Sequence, residues 1–71
     1  MKKKQIVIRV RKIAPKRYLI EQRRRFLFWR FFQKGCPTLG LKKYYANKQV
    51  AKTAIYAAAE KQNYQPIVLF L

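Results

Sequence analysis

Apolar and polar side chains alternate near the start of the chain. Every second residue from Ile6 to Val10 is a branched aliphatic, and Arg9 and Arg11 fall on the opposite side of an extended segment. A period of two is typical of a strand that is buried on one face. Pro15 interrupts the pattern, because proline has no amide hydrogen to give to a strand ladder. We therefore predict a first strand that ends before this residue.

The next segment carries two conflicting signals. The charged and amide residues of its first part favour a helix, whereas the dense aromatic run at 26–32 favours strands. Since no apolar stripe of helical period runs through both parts, we predict two strands, at 17–23 and 26–33, that reverse direction near Arg24. One long amphipathic helix over residues 17–32 is the alternative.

The two-strand prediction has a consequence for the aromatic residues. Neighbouring residues of a strand point to opposite faces, so Trp29 is expected in the core together with Leu27 and Phe31. Arg30 then faces solvent on the same side as Phe28.

The second half of the chain is easier to divide. Two glycines and a proline in residues 35–40 predict a loop, which a short strand at 41–45 follows. Asn47 is a good N-cap for a helix that we expect to continue to about Gln62. Its apolar face consists of small and branched residues, namely Val50, Ala51, Ala54, Ile55 and Ala58. The wholly apolar segment Ile67–Leu71 predicts a last strand, which either joins the sheet or pairs with a second copy of the chain as a homodimer.

Together the elements predict one basic α+β domain over residues 1–71, with the order β-β-β-β-α-β. The strands are expected to form a small antiparallel sheet with one helix packed on one face. Residues 1–4 precede the first strand and are expected to be a mobile basic arm. The apolar fraction of 51% is far above that of a disordered basic tail, so we expect a real core.

The net charge of the chain limits the kinds of partner that it is expected to bind. The 71 residues include 18 Lys and Arg against two glutamates, which gives a formal net charge of +16. Self-repulsion of this size opposes compact folding, and a polyanion relieves it. Nucleic acid is the commonest such partner. All seven arginines precede residue 31, and the guanidinium fork fits phosphates and guanine edges. We therefore expect the first half of the chain to carry the binding surface.

The sequence lacks several of the residue types that commonly serve in catalysis. The chain has no His, Asp or Ser, so the usual catalytic triads and zinc sites are excluded. Cys36 is its one cysteine, and we expect a passive thiol without an internal disulfide, a metal site or a cofactor. Glu21 and Glu60 are expected to form local ion pairs. We predict that the protein is not an enzyme and has no small-molecule substrate.

Candidate contacts with nucleic acid are of two kinds. Arginines that face outward from the sheet would make oriented contacts beside an exposed aromatic, and lysines would add charge without reading sequence. The predicted nucleic-acid-binding residues are Arg9, Arg11, Arg23, Arg25, Arg30, Lys2, Lys3, Lys4, Lys48, Lys52 and Phe28. The strand and helix order of residues 17–62 resembles, in architecture only, the arm-binding domains of integrases and a class of small plant DNA-binding domains. The resemblance implies a sheet that lies in the major groove.

We therefore expect a small DNA-binding protein that prefers duplex DNA and resembles phage or mobile-element products in size and charge. Two alternatives stay open, namely an RNA-binding or ribosomal protein and a small basic inhibitor that docks on an acidic host protein. The N-terminal lysines do not lead into a signal-peptide core, and the longest apolar run is far too short to cross a bilayer. We predict no membrane partner and a location in the cytoplasm or at the nucleoid, in the host cytoplasm for a phage product.

Overall fold

The computed structural model describes residues 3–71. Within this range the chain forms five strands and one helix. These are β1 (Lys4–Ala14), β2 (Arg17–Phe26), β3 (Trp29–Lys34), β4 (Tyr44–Tyr45), α1 (Lys48–Lys61) and β5 (Tyr64–Phe70). The predicted α+β class and the order β-β-β-β-α-β are confirmed.

Residues 17–32 form strands and not one long helix, but the chain reverses later than predicted. β2 continues past Arg24 to Phe26, and the two-residue turn consists of Leu27 and Phe28. Leu27 adopts a positive φ of 55°, a conformation for which such turns normally use Gly, Asn or Asp. The sequence prediction missed this turn because its residues are apolar.

The sheet is mixed and not wholly antiparallel. Its strand order is β3-β2-β1-β5, with β4 also paired to β2. The pairs β1–β2, β2–β3 and β2–β4 are antiparallel, whereas β1 and β5 run parallel. The parallel pair follows from the connection, because a crossover helix returns the chain to the sheet in its original direction. α1 makes this crossover between β4 and β5.

The core lies between the sheet and α1. It is formed by aliphatic side chains of β1 and β2, two loop residues and one stripe of the helix, namely Ile6, Ile8, Val10, Ile20, Cys36, Leu39, Ala51, Ile55 and Ala59. The predicted inward side of β1 is confirmed. The helix stripe runs at intervals of four residues, and Val50 lies outside it and is exposed instead of buried. Small alanines in this stripe allow α1 to lie close to the sheet.

The ends of α1 agree with the sequence. The Oδ1 atom of Asn47 accepts hydrogen bonds from the amides of Gln49 and Val50, at 2.7 and 3.4 Å. This side chain satisfies donors that the first helical turn leaves free. The predicted N-cap is therefore confirmed, and the helix that was expected to continue to about Gln62 ends at Lys61, with Gln62 as its C-cap.

Three strand ends differ from the predictions. The segment Ile67–Leu71 joins the sheet, but β5 begins at Tyr64, before the predicted start at Ile67, and it lies at the edge with β1 as its neighbour. Lys4 is already part of β1 and pairs with Tyr64, so it does not belong to an arm before the strand. The strand predicted at 41–45 is reduced to β4, and Leu41 instead forms an isolated bridge with Cys36.

The aromatic run lies outside the core. β1 and β2 stop pairing at Ile8 and Gln22, and beyond this point β2 pairs with β3. Helix α1 packs mainly against β5 and less against β2 and β4. Trp29 is consequently 63% exposed, and Leu27 and Phe31 are exposed as well. The prediction that these three residues form part of the core is wrong, because α1, the layer that would cover them, ends before it reaches them.

Candidate nucleic-acid interface

Strand register places five arginines on the sheet face that lies opposite α1. Residues directly opposite in an antiparallel pair point to the same side, and every second residue of a strand does so too. Arg9 lies opposite Glu21, Arg23 opposite Phe32, and Arg25 opposite Arg30. We call this set the arginine face, and its members are Arg9, Arg11, Arg23, Arg25 and Arg30. All five were predicted as binding residues, and the structure brings them onto one surface.

Two members of the arginine face are anchored by a carboxylate. The Nε of Arg9 lies 2.9 Å from Oε1 of Glu21, and the Nε of Arg11 lies 3.4 Å from the same oxygen. Glu21 is buried, so the expected local ion pair is confirmed for this residue. The Arg9 guanidinium also lies 3.9 Å from the centre of the Phe32 ring, within the range of a cation–π contact. Arg9 therefore supports the sheet surface more than it offers a free fork, and Arg11 is the more exposed of the two.

The other three arginines lie on the part of the β2–β3 hairpin that projects beyond the core, residues 23–32, which we call the distal hairpin. Arg25 and Arg30 face each other across the two strands, and like charges in this position destabilise a hairpin. The Nε of Arg25 donates a hydrogen bond of 2.7 Å to the carbonyl of Leu27 and so holds the turn. Among residues 3–71 the ion pairs are those of Glu21 with Arg9 and Arg11. The positive charge of the distal hairpin is therefore not balanced within the described part of the chain.

The opposite side of the distal hairpin is mainly aromatic and also carries Arg24, which lies opposite Phe31. Phe26 lies opposite Trp29, and alternation along β3 puts Phe31 on the same side. Leu27 and Phe28 form the turn, and Phe28 is 82% exposed with its ring centre 6.2 Å from that of Trp29. We call these five exposed residues the aromatic tip. Exposed apolar groups of this size generally mark a surface that contacts something else.

The predicted lysine contacts lie elsewhere. Lys48 and Lys52 are on α1, on the other side of the sheet from the arginine face. The Nζ of Lys48 lies 4.7 Å from the centre of the Phe70 ring, near the end of β5 that is remote from the distal hairpin. Lys3 and Lys4 are exposed, and Lys2 lies outside the described residues. These lysines therefore do not form one site with the arginines.

Cys36 behaves as an internal residue. Its side chain is buried in the core, and this burial raises the pKa of the thiol above its ordinary value, although a backbone hydrogen bond at Leu39 and the charge of Arg24 oppose the shift. A raised pKa means that less of the reactive thiolate is present. The geometry therefore supports the expectation of a passive thiol.

Residues 3–71 contain neither a cluster of metal ligands nor a helix that could span a membrane. No group of three or more His, Cys, Asp or Glu side chains is close enough there to hold a metal ion. In the same part of the chain, no helix has both the length and the apolar character that a membrane span requires.

Sequence reasoning located most of the arginine face but misjudged part of the aromatic tip. Alternation in the predicted strands put Arg9, Arg11, Arg23 and Arg30 together, whereas Arg25 joins them because β2 continues past the predicted reversal. Phe28 was expected to be exposed and is, whereas Leu27, Trp29 and Phe31 were expected in the core because bulky apolar residues are usually buried. One signal was available, since Arg24 interrupts the apolar side of β2 just before Phe26.

The geometry of the arginine face and the aromatic tip is the basis for assigning a function to them. The resemblance to DNA-binding domains rests on the order of elements alone. The chain has no significant match among protein-family models, curated proteins or solved structures.

Proposed function

We propose that this protein is a non-enzymatic nucleic-acid-binding protein that contacts duplex DNA through its arginine face. The observation that carries the proposal is the cross-strand pair of Arg25 and Arg30, with Arg23 beside it on the same exposed surface. Three unbalanced cations on one side of a projecting hairpin cost folding free energy. A row of phosphates would relieve the repulsion among these arginines, and this relief would add to the free energy of binding.

The shape of the distal hairpin suits a duplex. The major groove is about 12 Å wide and admits a two-stranded ribbon. A ribbon that enters it with the arginine face inward brings guanidinium forks to guanine edges and to the flanking phosphates. Arg11 would extend this contact along the central sheet, while Arg9 holds the surface in place through Glu21. A location at the nucleoid or in the cytoplasm, and a phage or mobile-element origin, belong to the same proposal.

The test is a titration by fluorescence anisotropy of labelled duplex DNA, single-stranded DNA and structured RNA at two salt concentrations. With roughly 5–8 phosphate contacts, log K should fall with log salt at a slope of about −4 to −7 on the duplex. Stronger binding to RNA at both salts would support the RNA-binding alternative. Absence of binding to all three nucleic acids at about 50 mM salt would contradict the proposal and favour a protein partner with an acidic surface.

A matched pair of triple variants locates the site. Changing Arg23, Arg25 and Arg30 to Ala removes three charges from the distal hairpin. Changing Lys48, Lys52 and Lys61 to Ala removes three charges from α1, on the other side of the sheet. The first variant should reduce the magnitude of the salt slope by about 2–3, and the second should change it much less. Equal effects would show that binding follows net charge and that the arginine face is not the site.

A further inference from the structure

We infer that the aromatic tip stacks on unpaired bases, so that the protein prefers nucleic acid in which base pairing is interrupted. The inference rests on the proposed function and names a form of nucleic acid that can contact both sides of the distal hairpin. The proposed duplex contact leaves the aromatic tip unused, that is, Phe26, Leu27, Phe28, Trp29 and Phe31.

The two sides of the distal hairpin require different partners. Three of its four arginines, Arg23, Arg25 and Arg30, lie on one side, and the aromatic residues of the tip lie on the other side together with Arg24. A perfect duplex offers phosphates to the arginine side, but its bases are stacked inside and offer nothing to the aromatic side. At a bulge or in a run of mismatches the bases unstack more readily, so that base faces can be exposed close to the phosphates. Such a ligand can therefore occupy both sides of one thin ribbon.

Chemistry also favours bases as the occupants of the tip. Every base has an aromatic face that stacks on Phe or Trp, with a gain of about 1–3 kcal/mol per stacked base. Apolar side chains at the end of a protein element can also enter a base step and hold it open. Leu27 and Phe28 are well placed for this, since they form the outermost turn and are 69% and 82% exposed.

A lipid surface fits the arrangement less well. An amphipathic element on a membrane usually lies flat, with its apolar side in the bilayer. In that orientation three of the four arginines of the distal hairpin, namely Arg23, Arg25 and Arg30, would point away from the phosphate groups that attract them, and Arg24 alone would face those groups. Nucleic acid can surround the ribbon, whereas a membrane contacts it from one direction.

The experiment compares two duplexes that have the same length and the same number of phosphates. One is fully paired, and the other carries three consecutive mismatches. The protein should bind the mismatched duplex about five- to tenfold more tightly. Trp29 is the only tryptophan in the chain, so its emission should be quenched by the mismatched duplex and little changed by the paired one.

Variants separate the tip from the arginine face. The double substitution Phe26→Ala and Phe28→Ala keeps Trp29 as the reporter and should abolish the preference while binding to the paired duplex persists. Tyr56→Ala, which removes an exposed aromatic side chain from α1, is the control and should leave the preference intact. Leu27→Gly removes an apolar side chain at a positive φ that suits glycine. It should weaken binding to the mismatched duplex with no loss of thermal stability.

The outcomes distinguish this inference from the proposed function. Equal affinity for the two duplexes with unchanged Trp29 emission would overturn the inference and leave duplex binding in place. Failure to bind either duplex would remove both. A shift of Trp29 emission with vesicles that contain phosphatidylglycerol, and not with nucleic acid, would assign the tip to a lipid surface. A shift that depends on protein concentration alone would assign it to a second copy of the chain.

Discussion

Two regions of the sheet, the part beneath α1 and the distal hairpin, share the same alternation of apolar and polar residues. They differ in whether the apolar side is buried. Under α1 the apolar side of β1 and β2 is buried, and Ile8 and Ile20 have no exposed surface. In the distal hairpin the apolar side of the ribbon is exposed, although its residues are larger. The difference shows that alternation decides which residues share a side, whereas a second layer decides whether that side is buried.

The charged sides of the two regions differ in a similar way. On the central sheet, Arg9 and Arg11 share the buried carboxylate of Glu21. On the distal hairpin, Arg25 and Arg30 face each other across the strands. The first arrangement offsets part of its charge internally and supports the fold, whereas the second weakens the fold and leaves its charge without a counter-charge in the described residues. Stability and binding are therefore expected to reside in different halves of the molecule.

The largest expected effect lies in the core. Ile20→Ala should lower the free energy of unfolding by about 2–5 kcal/mol, because Ile20 is fully buried between the sheet and α1. Ile13→Ala makes the same change at an exposed position of β1 and should cost less than about 1 kcal/mol. Urea unfolding followed by circular dichroism measures both. If Ile20→Ala unfolds the chain, Ile20→Val should still show a loss of about 0.5–1.5 kcal/mol. Similar effects at Ile13 and Ile20 would contradict the two-layer core.

The anchoring carboxylate should have the next largest effect. Glu21→Gln keeps the shape of the side chain but removes the charge that Arg9 and Arg11 share, so we expect a loss of about 1–3 kcal/mol in unfolding free energy. Glu60→Gln gives the same change in net charge at an exposed position and should stay within about 0.5 kcal/mol. The comparison between them in urea removes the contribution of overall charge. An equal effect of both substitutions would show that Glu21 does not anchor the arginine face.

Cys36 predicts a smaller effect that depends on pH. Its thiol has a raised pKa in the folded protein, so the folded state keeps the proton more tightly than the unfolded state does. Stability from this group is therefore present below the ordinary pKa of a cysteine and is lost as the pH rises above it. Thermal unfolding from pH 7 to 10 should show a steeper decline for the natural chain than for Cys36→Ala. Parallel curves for the two proteins would count against a buried thiol.

The smallest effect on stability is expected in the distal hairpin. Trp29→Ala removes the largest side chain of the molecule, yet it should change the free energy of unfolding by only about 0.5 kcal/mol, because Trp29 is mostly exposed. The result is measured by urea unfolding with circular dichroism, since the variant lacks tryptophan fluorescence. A loss of several kcal/mol would mean that the aromatic side of the hairpin is packed in the core after all.

The sequence by itself determined the local structure and the grouping of residues. Alternation from Ile6 to Val10 predicted the inner side of β1, and Asn47 predicted the start of α1. The same period of two was enough to bring Arg9, Arg11, Arg23 and Arg30 to one surface, because side-chain direction in a strand depends only on the backbone.

Tertiary structure decided how far the second layer reaches and which strands become neighbours. Trp29 was expected in the core because burial favours large apolar residues, but burial requires a covering layer, and α1 lies over β5 and β2. The edge position of β5 and its parallel pairing with β1 likewise depend on where the crossover returns the chain. The sequence shows directly which residues each segment contains. It does not show which of them are exposed, because exposure depends on contacts with residues that are far apart in the sequence.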